Sequence, residues 1–323
     1  MTPKAFKRSV WFVVIFIVLA IGVHHLLILG LRQYNAGGSF DVWNQIVGGK
    51  AGAEILISGS SRALVNFDCT AISDATGKSC FNIGLDGSKI NLDLARFKTY
   101  LEHNTKPKVL VQVGGTGDLE FGGLLRLYQY AAYLNEHHLY QSLVSQLPEM
   151  RYHKHIPLYT FAIYNKELVW RSVKGLLNRQ TPEMMWPVRP RVRGFLPVDI
   201  PWTDEFDHYK RDFPQGQAFE ISPKGIESFE EMVRLCREQN IQIIMVFPPA
   251  YYEATYSYTK NIGEILQAYR DLAKKHDLEF LDYSKIPITR DQKYFYNSQH
   301  LNSQGAALFS RLFAEELNAQ YLR

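Results

Sequence analysis

Two residues in this chain have types and surroundings suited to covalent chemistry. Ser61 lies in Gly59-Ser60-Ser61-Arg62, directly after the apolar run 54–58 (EILIS). A serine at a sharp strand-to-helix turn is exposed, and its own backbone N–H can help hold an oxyanion. Gly-Ser-Ser alone is also ordinary turn chemistry. His300 lies in Tyr294-Phe295-Tyr296-Asn297-Ser298-Gln299-His300-Leu301-Asn302, in a loop ahead of the last helical pattern. A serine hydroxyl is too weakly acidic to react unaided, and histidine is its most frequent base. A fold that joined the two would be equipped for acyl chemistry through a serine ester.

Other residues stand near these two in the expected fold. Arg62 follows the serine and could bind an anionic substrate group or pair with an acid such as Asp86. Tyr251, in Pro248-Pro249-Ala250-Tyr251, follows a strand and is expected to line the pocket. Asp282 ends another strand and reads as a turn cap. Metal chemistry finds little support. His137-His138 and His153-x-His155 lack an acidic partner at ligand spacing, and Gly114-Gly115-Thr116-Gly117 is too short for a phosphate loop and has no lysine. No cofactor is expected.

The elements that must position these residues follow an alternating pattern. Strands are expected at 54–58, 79–83, 108–113, 241–247 and 278–282. Helices are expected at 88–103, 222–240, 259–276 and 302–319, with Pro223 in a first turn. Strands alternating with helices predict an α/β three-layer sandwich with a central parallel sheet. Its sites lie at the C-terminal ends of the strands. Residues 119–215 break the alternation and read as an insertion. It holds aromatic-rich helical patterns at 124–143 and 158–177 and a Pro/Arg stretch at 186–197 that could meet anionic headgroups or polysaccharide.

The N-terminus is different. Residues 9–31 carry no formal charge and suffice to span an apolar bilayer core of about 30 Å. Lys4, Lys7 and Arg8 precede the run, which predicts a cytoplasmic N-terminus and an uncleaved anchor. The expected organisation is a cytoplasmic tip and transmembrane anchor at 1–32, a glycine-rich linker at 33–53, and one domain at 54–323 containing the insertion. A net charge of +4 over 323 residues is too mild to indicate nucleic acid. Of the three cysteines, Cys69 and Cys80 are close enough in sequence to pair in an oxidising compartment, though connectivity cannot be read from sequence. Cys236 falls in a helical pattern and reads as a buried thiol.

Four blocks of the chain resemble those of the SGNH (GDSL-like) hydrolase superfamily, and more narrowly its membrane-anchored DltD-like and alginate-acetylation-like branch. They are ILISGSSRA, FNIGLDG, VGGTGDL and YNSQHLNSQGA, within residues 54–118 and 222–319. The resemblance implies an SGNH/flavodoxin-like fold with Ser61 as nucleophile and His300 as general base. Gly87, ahead of Gly84, would join the Ser61 N–H in the oxyanion hole, and Asn82 would be structural. Two positions depart from the pattern. Thr116 stands where the family often has an asparagine oxyanion donor. Asn297 stands where it has the aspartate that orients the histidine, which leaves a Ser–His dyad, an acid recruited from elsewhere (Asp291 or Asp118), or a dead site.

The resemblance further implies O-acyl transfer or ester hydrolysis on an envelope polysaccharide or related polymer. The domain would lie outside a bacterial inner membrane, beside a membrane-bound O-acyltransferase. The alternative is a catalytically inactive scaffold that binds polysaccharide or such a transferase.

Overall fold

The computed structural model describes residues 2–34, 39–122, 127–178 and 191–321. Gly37, Gly38, Leu124 and the first part of the 186–197 stretch lie outside the described residues. Along the chain come α1 (Pro3–Gln33), α2 (Ser39–Val47), β1 (Ile55–Ser58), α3 (Ser61–Asn66), α4 (Cys69–Thr76), β2 (Cys80–Asn82), α5 (Ile90–His103) and β3 (Val109–Val113). The middle of the chain forms α6 (His137–Gln146), α7 (Met150–His155), α8 (Tyr159–Leu176) and α9 (Glu205–Asp212). It closes with α10 (Pro223–Glu238), β4 (Gln242–Phe247), α11 (Tyr252–Ser257), α12 (Ile262–Lys275), β5 (Glu279–Asp282) and α13 (Ser303–Gln320).

The chain divides into two compact units, residues 1–44 with 126–183 and residues 45–125 with 184–323. The second holds the sheet. Its five strands are all parallel in the order β2-β1-β3-β4-β5, each within a residue or two of its expected position. Side chains alternate across the sheet. Ile55, Ile57, Val109, Val111, Ile244 and Val246 pack on one face with Phe67, Phe309 and Phe313, beside α3, α4 and α13. On the other face Gln112 Nε2 donates to Asp93 of α5 at 3.2 Å, and α5 lies along α10. The expected α/β sandwich is thus present, with central strands β1, β3 and β4 buried and reading as near-continuous apolar runs, while edge strand β5 is partly exposed.

Two segments differ from the sequence-based expectation. Residues 39–47, read as linker, form α2, whose Trp43 is buried and stacks on Tyr133 at 5.4 Å. Residues 191–215, read as insertion, belong to the sheet unit. Phe195 enters the core, Arg193 O accepts the Asn82 N–H of edge strand β2 at 2.9 Å, and Val198 O accepts from Ser303 N–H. Of the segment 119–215, residues 126–183 group with α1. Local pattern could not reveal which core each segment joins, because the partners lie far away in sequence.

In the first unit, α1 is long and apolar enough to cross a membrane. Its large side chains from Phe6 to Val23 are mostly exposed, as are Leu26 and Leu29, whereas Leu27, Gly30 and Leu31 are buried.

Cys69 and Cys80 form a disulfide with Cα atoms 5.1 Å apart, tying α4 to β2. Cys236 is fully buried, and burial pushes its thiol up to about 12, which leaves it inert. The disulfide closes a short loop, so the entropy it removes from the unfolded chain is worth roughly 2–3 kcal/mol. A Cys69→Ala/Cys80→Ala variant is expected to lose about that much stability in denaturant titration. Added reductant should reproduce the loss in the parent and leave the variant unchanged.

Candidate active site

The site begins at the end of β1. Gly59 takes φ 145° there, and a Cβ on it would lie 2.8 Å from Val113 O, so only glycine fits this turn. Its carbonyl accepts from Leu85 N–H at 3.0 Å and Arg96 Nη2 at 3.3 Å, while Ser88 Oγ, also 3.3 Å away, gives its proton to Asp93 Oδ1 at 2.5 Å. Arg96 is itself paired at 3.0 Å with Asp93, and both are buried. Burial raises the Asp93 carboxyl, and Arg96 opposes that rise. The chain is thus held from behind where it enters α3.

The two serines that follow have separate partners. Ser60 Oγ–H donates to Asp118 Oδ2 at 3.1 Å. Ser61, the first residue of α3, donates from Oγ–H to His300 Nε2 at 2.7 Å. His300 reaches this position from the loop between β5 and α13. Leu301 N–H, next along the chain, donates to buried Asn66 Oδ1 at 3.0 Å, pinning the loop to the end of α3.

The tautomer of His300 follows from its other neighbours. Asn297 Oδ1 lies 2.9 Å from His300 Nδ1 and also accepts the backbone N–H groups of Gln299 at 3.1 Å and His300 at 3.0 Å. These donors identify that amide atom as oxygen. His300 Nδ1 must therefore carry the proton, and Nε2 is left as an acceptor for Ser61. The Asn297 amide nitrogen turns the opposite way and donates to Glu205 Oε2 at 2.8 Å. The result is a relay Ser61–His300–Asn297–Glu205. The acids considered from the sequence sit elsewhere. Asp291 caps a short turn through Lys293 N–H, and Asp118 holds Ser60. Glu205, at the start of α9, carries no local sequence signal because only the fold brings it to Asn297.

His300 is half-buried, with the Tyr296 ring stacked on it at 5.4 Å. Desolvation, and secondarily the charge of Arg62, push its pKa down to about 3. The imidazole is neutral at physiological pH, the form a general base needs. Arg62 is buried and stacks on Phe247, and its Nη2 donates to Pro248 O at 2.8 Å. Desolvation lowers it to about 10, against the opposing charge of Asp118, which is the acid acting on it. Burial raises Asp118 in turn to about 6.

The oxyanion candidates differ in how fully they are engaged. Gly84 N–H is taken by Asn82 Oδ1 at 2.8 Å, and Asn82 Nδ2 donates to Ala63 O at 2.7 Å, a structural role. Gly87 has φ 71° in the turn that Ser88 N–H closes onto Leu85 O. Among the described residues, nothing accepts the N–H groups of Ser61 and Gly87 or the hydroxyl of Thr116. Thr116 and Arg62 line a small cleft, open to solvent, with Phe219, Ala250, Ser298 and Gln299, and neither Ser61 nor His300 is among its lining residues. Tyr251 does not line it. Its ring packs at 4.9 Å on Trp202 and 5.9 Å on Phe206, so Ala250 takes the expected lining position. Asp282 accepts from Ser284 N–H at 3.0 Å, the turn cap expected.

No family model matches the chain, and no curated protein matches it. Among solved structures it is similar to an acetyl xylan esterase at 12% identity and TM-score 0.41, over 83% of this chain and 98% of that one. It is similar also to the lipase/acylhydrolase from Enterococcus faecalis at 12% identity and TM-score 0.40, over 82% of this chain and 95% of that one.

Three outcomes follow from this site. The acid limb of Ser61 reactivity should lie well below pH 6.5, toward 3, when the rate of labelling by a fluorophosphonate is followed against pH. Stability carries the same sign. Below pH 6.5 the unfolded chain takes up a proton that folded His300 refuses, so this contribution is lost as pH falls toward 3. Glu205→Ala frees the Asn297 amide and is expected to slow labelling about tenfold, the worth of one charge-assisted hydrogen bond. Glu205→Gln keeps an acceptor for Asn297 Nδ2 and should recover part of that rate.

Proposed function

We propose that the chain is a serine esterase or O-acyltransferase in which Ser61 attacks an acyl ester. The observation that carries this reading is the 2.7 Å contact between Ser61 Oγ and His300 Nε2, with the ring held in the matching tautomer. His300 Nε2 takes the Ser61 proton as Oγ bonds to the acyl carbon. The tetrahedral oxyanion is met by the N–H groups of Ser61 and Gly87, with the Thr116 hydroxyl as a third donor. The C–O bond to the leaving alcohol then breaks, and the alcohol receives the proton from His300. Water or an acceptor hydroxyl attacks the acyl-serine by the same steps in reverse.

In this reading Asn297 replaces the usual acid. Its carbonyl orients the ring, and the Glu205 carboxylate behind it supplies negative charge one residue removed. That charge favours the imidazolium that forms in the transition state, less strongly than a directly bonded carboxylate would. Arg62 would sit beside the acyl or acceptor group at the cleft.

The finer reading places the site outside the bacterial inner membrane, with an envelope polysaccharide or related polymer as acceptor and a membrane-bound O-acyltransferase as partner. It is supported by the apolar helix α1, whose first turns carry Lys4, Lys7 and Arg8, and by the Cys69–Cys80 disulfide, which suits an oxidising compartment.

The test is labelling of the full-length protein in detergent with a fluorophosphonate probe. The parent should label, and Ser61→Ala and His300→Ala should not. Absence of labelling in the folded parent would favour the inactive scaffold, for which Asn297 and Thr116 are the motivating departures.

A further inference from the structure

The first unit holds an apolar face that the active site does not use. Helix α8 exposes Ile163 at 55% and Trp170 at 59% of their surfaces, and Leu177, which caps its C-terminal end, is exposed at 58%. They recur every seventh residue and so form one stripe along the helix. The opposite side is buried through Phe161, Leu168 and Ser172. That buried side rests on α1. A Cβ on Gly30 would lie 2.2 Å from Ser172 O, and one on Gly175 would lie 1.9 Å from Gly30 O. The two backbones touch through small residues, as close helix pairs in membranes do. At the other end of α8, Leu158 N–H donates to His24 Nδ1 at 3.2 Å, and the Phe161 ring meets His24 at 5.8 Å.

These contacts fix the depth of α8. If the span of α1 begins at residue 9, His24 lies roughly 22 Å along it and Gly30 roughly 32 Å. An apolar core of about 30 Å then ends between them. The start of α8 is level with the outer part of that core, and its later turns with the headgroup layer. The stripe is continuous in level with the exposed apolar side chains of α1, including Leu26 and Leu29. Its composition suits that layer. Lys174 Nζ lies 5.5 Å over the Trp170 ring, and Arg171 pairs with Glu167 beside the stripe. Tryptophan and lysine together are at home where apolar and polar phases meet.

We propose that α8 is a second membrane element, an interfacial helix whose Ile163–Trp170–Leu177 face lies in the same leaflet that receives the end of α1. The occupant of this face is lipid. The proposal rests on the reading of α1 as a membrane span. A unit held by one span and one interfacial helix has a fixed tilt at the surface, whereas a single span allows it to swivel.

The test uses the full chain in phosphatidylcholine–phosphatidylglycerol vesicles. Ile163→Cys, Trp170→Cys and Leu177→Cys each carry an environment-sensitive dye, and Leu19→Cys in α1 reports on the span. Lipids with a nitroxide at a shallow or a deep acyl position act as quenchers. The expected result is deep quenching at position 19 and at least twofold stronger shallow than deep quenching on α8. Quenching at 19 with none at the three α8 positions would overturn the proposal and leave the anchor standing. No quenching at 19 would remove the anchor reading and the proposal with it.

Discussion

The Asn297 amide is the constraint on which the site depends. A histidine can serve a serine only when the correct nitrogen is free, and nothing in the imidazole itself chooses which one. Here the choice is made by an oxygen that accepts three N–H groups and a nitrogen tied to Glu205. Rotating the amide would set its NH₂ group against two backbone N–H donors and the Nδ1 proton and would break the bond to Glu205. An amide flip therefore costs several hydrogen bonds, each worth about 1 kcal/mol. An uncharged residue in this place is an effective orienter because the surrounding backbone leaves it only one orientation.

The serine is held just as firmly, from the other side of the sheet. The Gly59 turn is closed by two N–H donors to one carbonyl, from Leu85 and Arg96, and the buried Asp93–Arg96 pair stands behind one of them. A buried ion pair is weak evidence for stability, because desolvation offsets much of its attraction. Its value here is positional. Arg96 reaches Gly59 O only while Asp93 holds it, and Asp93 is held in turn by Gln112 of β3 and by Ser88 next to Gly87. The Gly59–Ser61 turn, the Gly87 turn and the central strand thus share one network.

Much of this was legible in the sequence because it follows from local pattern. The five strands are short apolar runs ended by turn residues, and each appears within a residue or two of its expected place. Ser61 and His300 could be read because both follow from position, one at a strand end and one ahead of the last helix. Other features are set at long range and leave no local signal. Glu205 lies 92 residues from Asn297 in a segment whose periodicity shows only a helix. Tyr251 has the right address for a pocket residue, but Trp202 and Phe206 draw its ring into an aromatic cluster, and those residues fell in the supposed insertion. The same blindness made residues 39–47 look like linker, since the partners of Trp43 lie some 90 residues away.

The central claim is that His300 activates Ser61 through this relay. It is tested most directly by brief exposure of the full-length protein to an activated acetyl ester, acid quenching, and peptide mass spectrometry. The account predicts an added acetyl group on the peptide containing Ser61, at that residue and not at Ser60, and none in His300→Ala. An acetyl group on Ser60, or equal acetylation of Ser61 in His300→Ala, would contradict it.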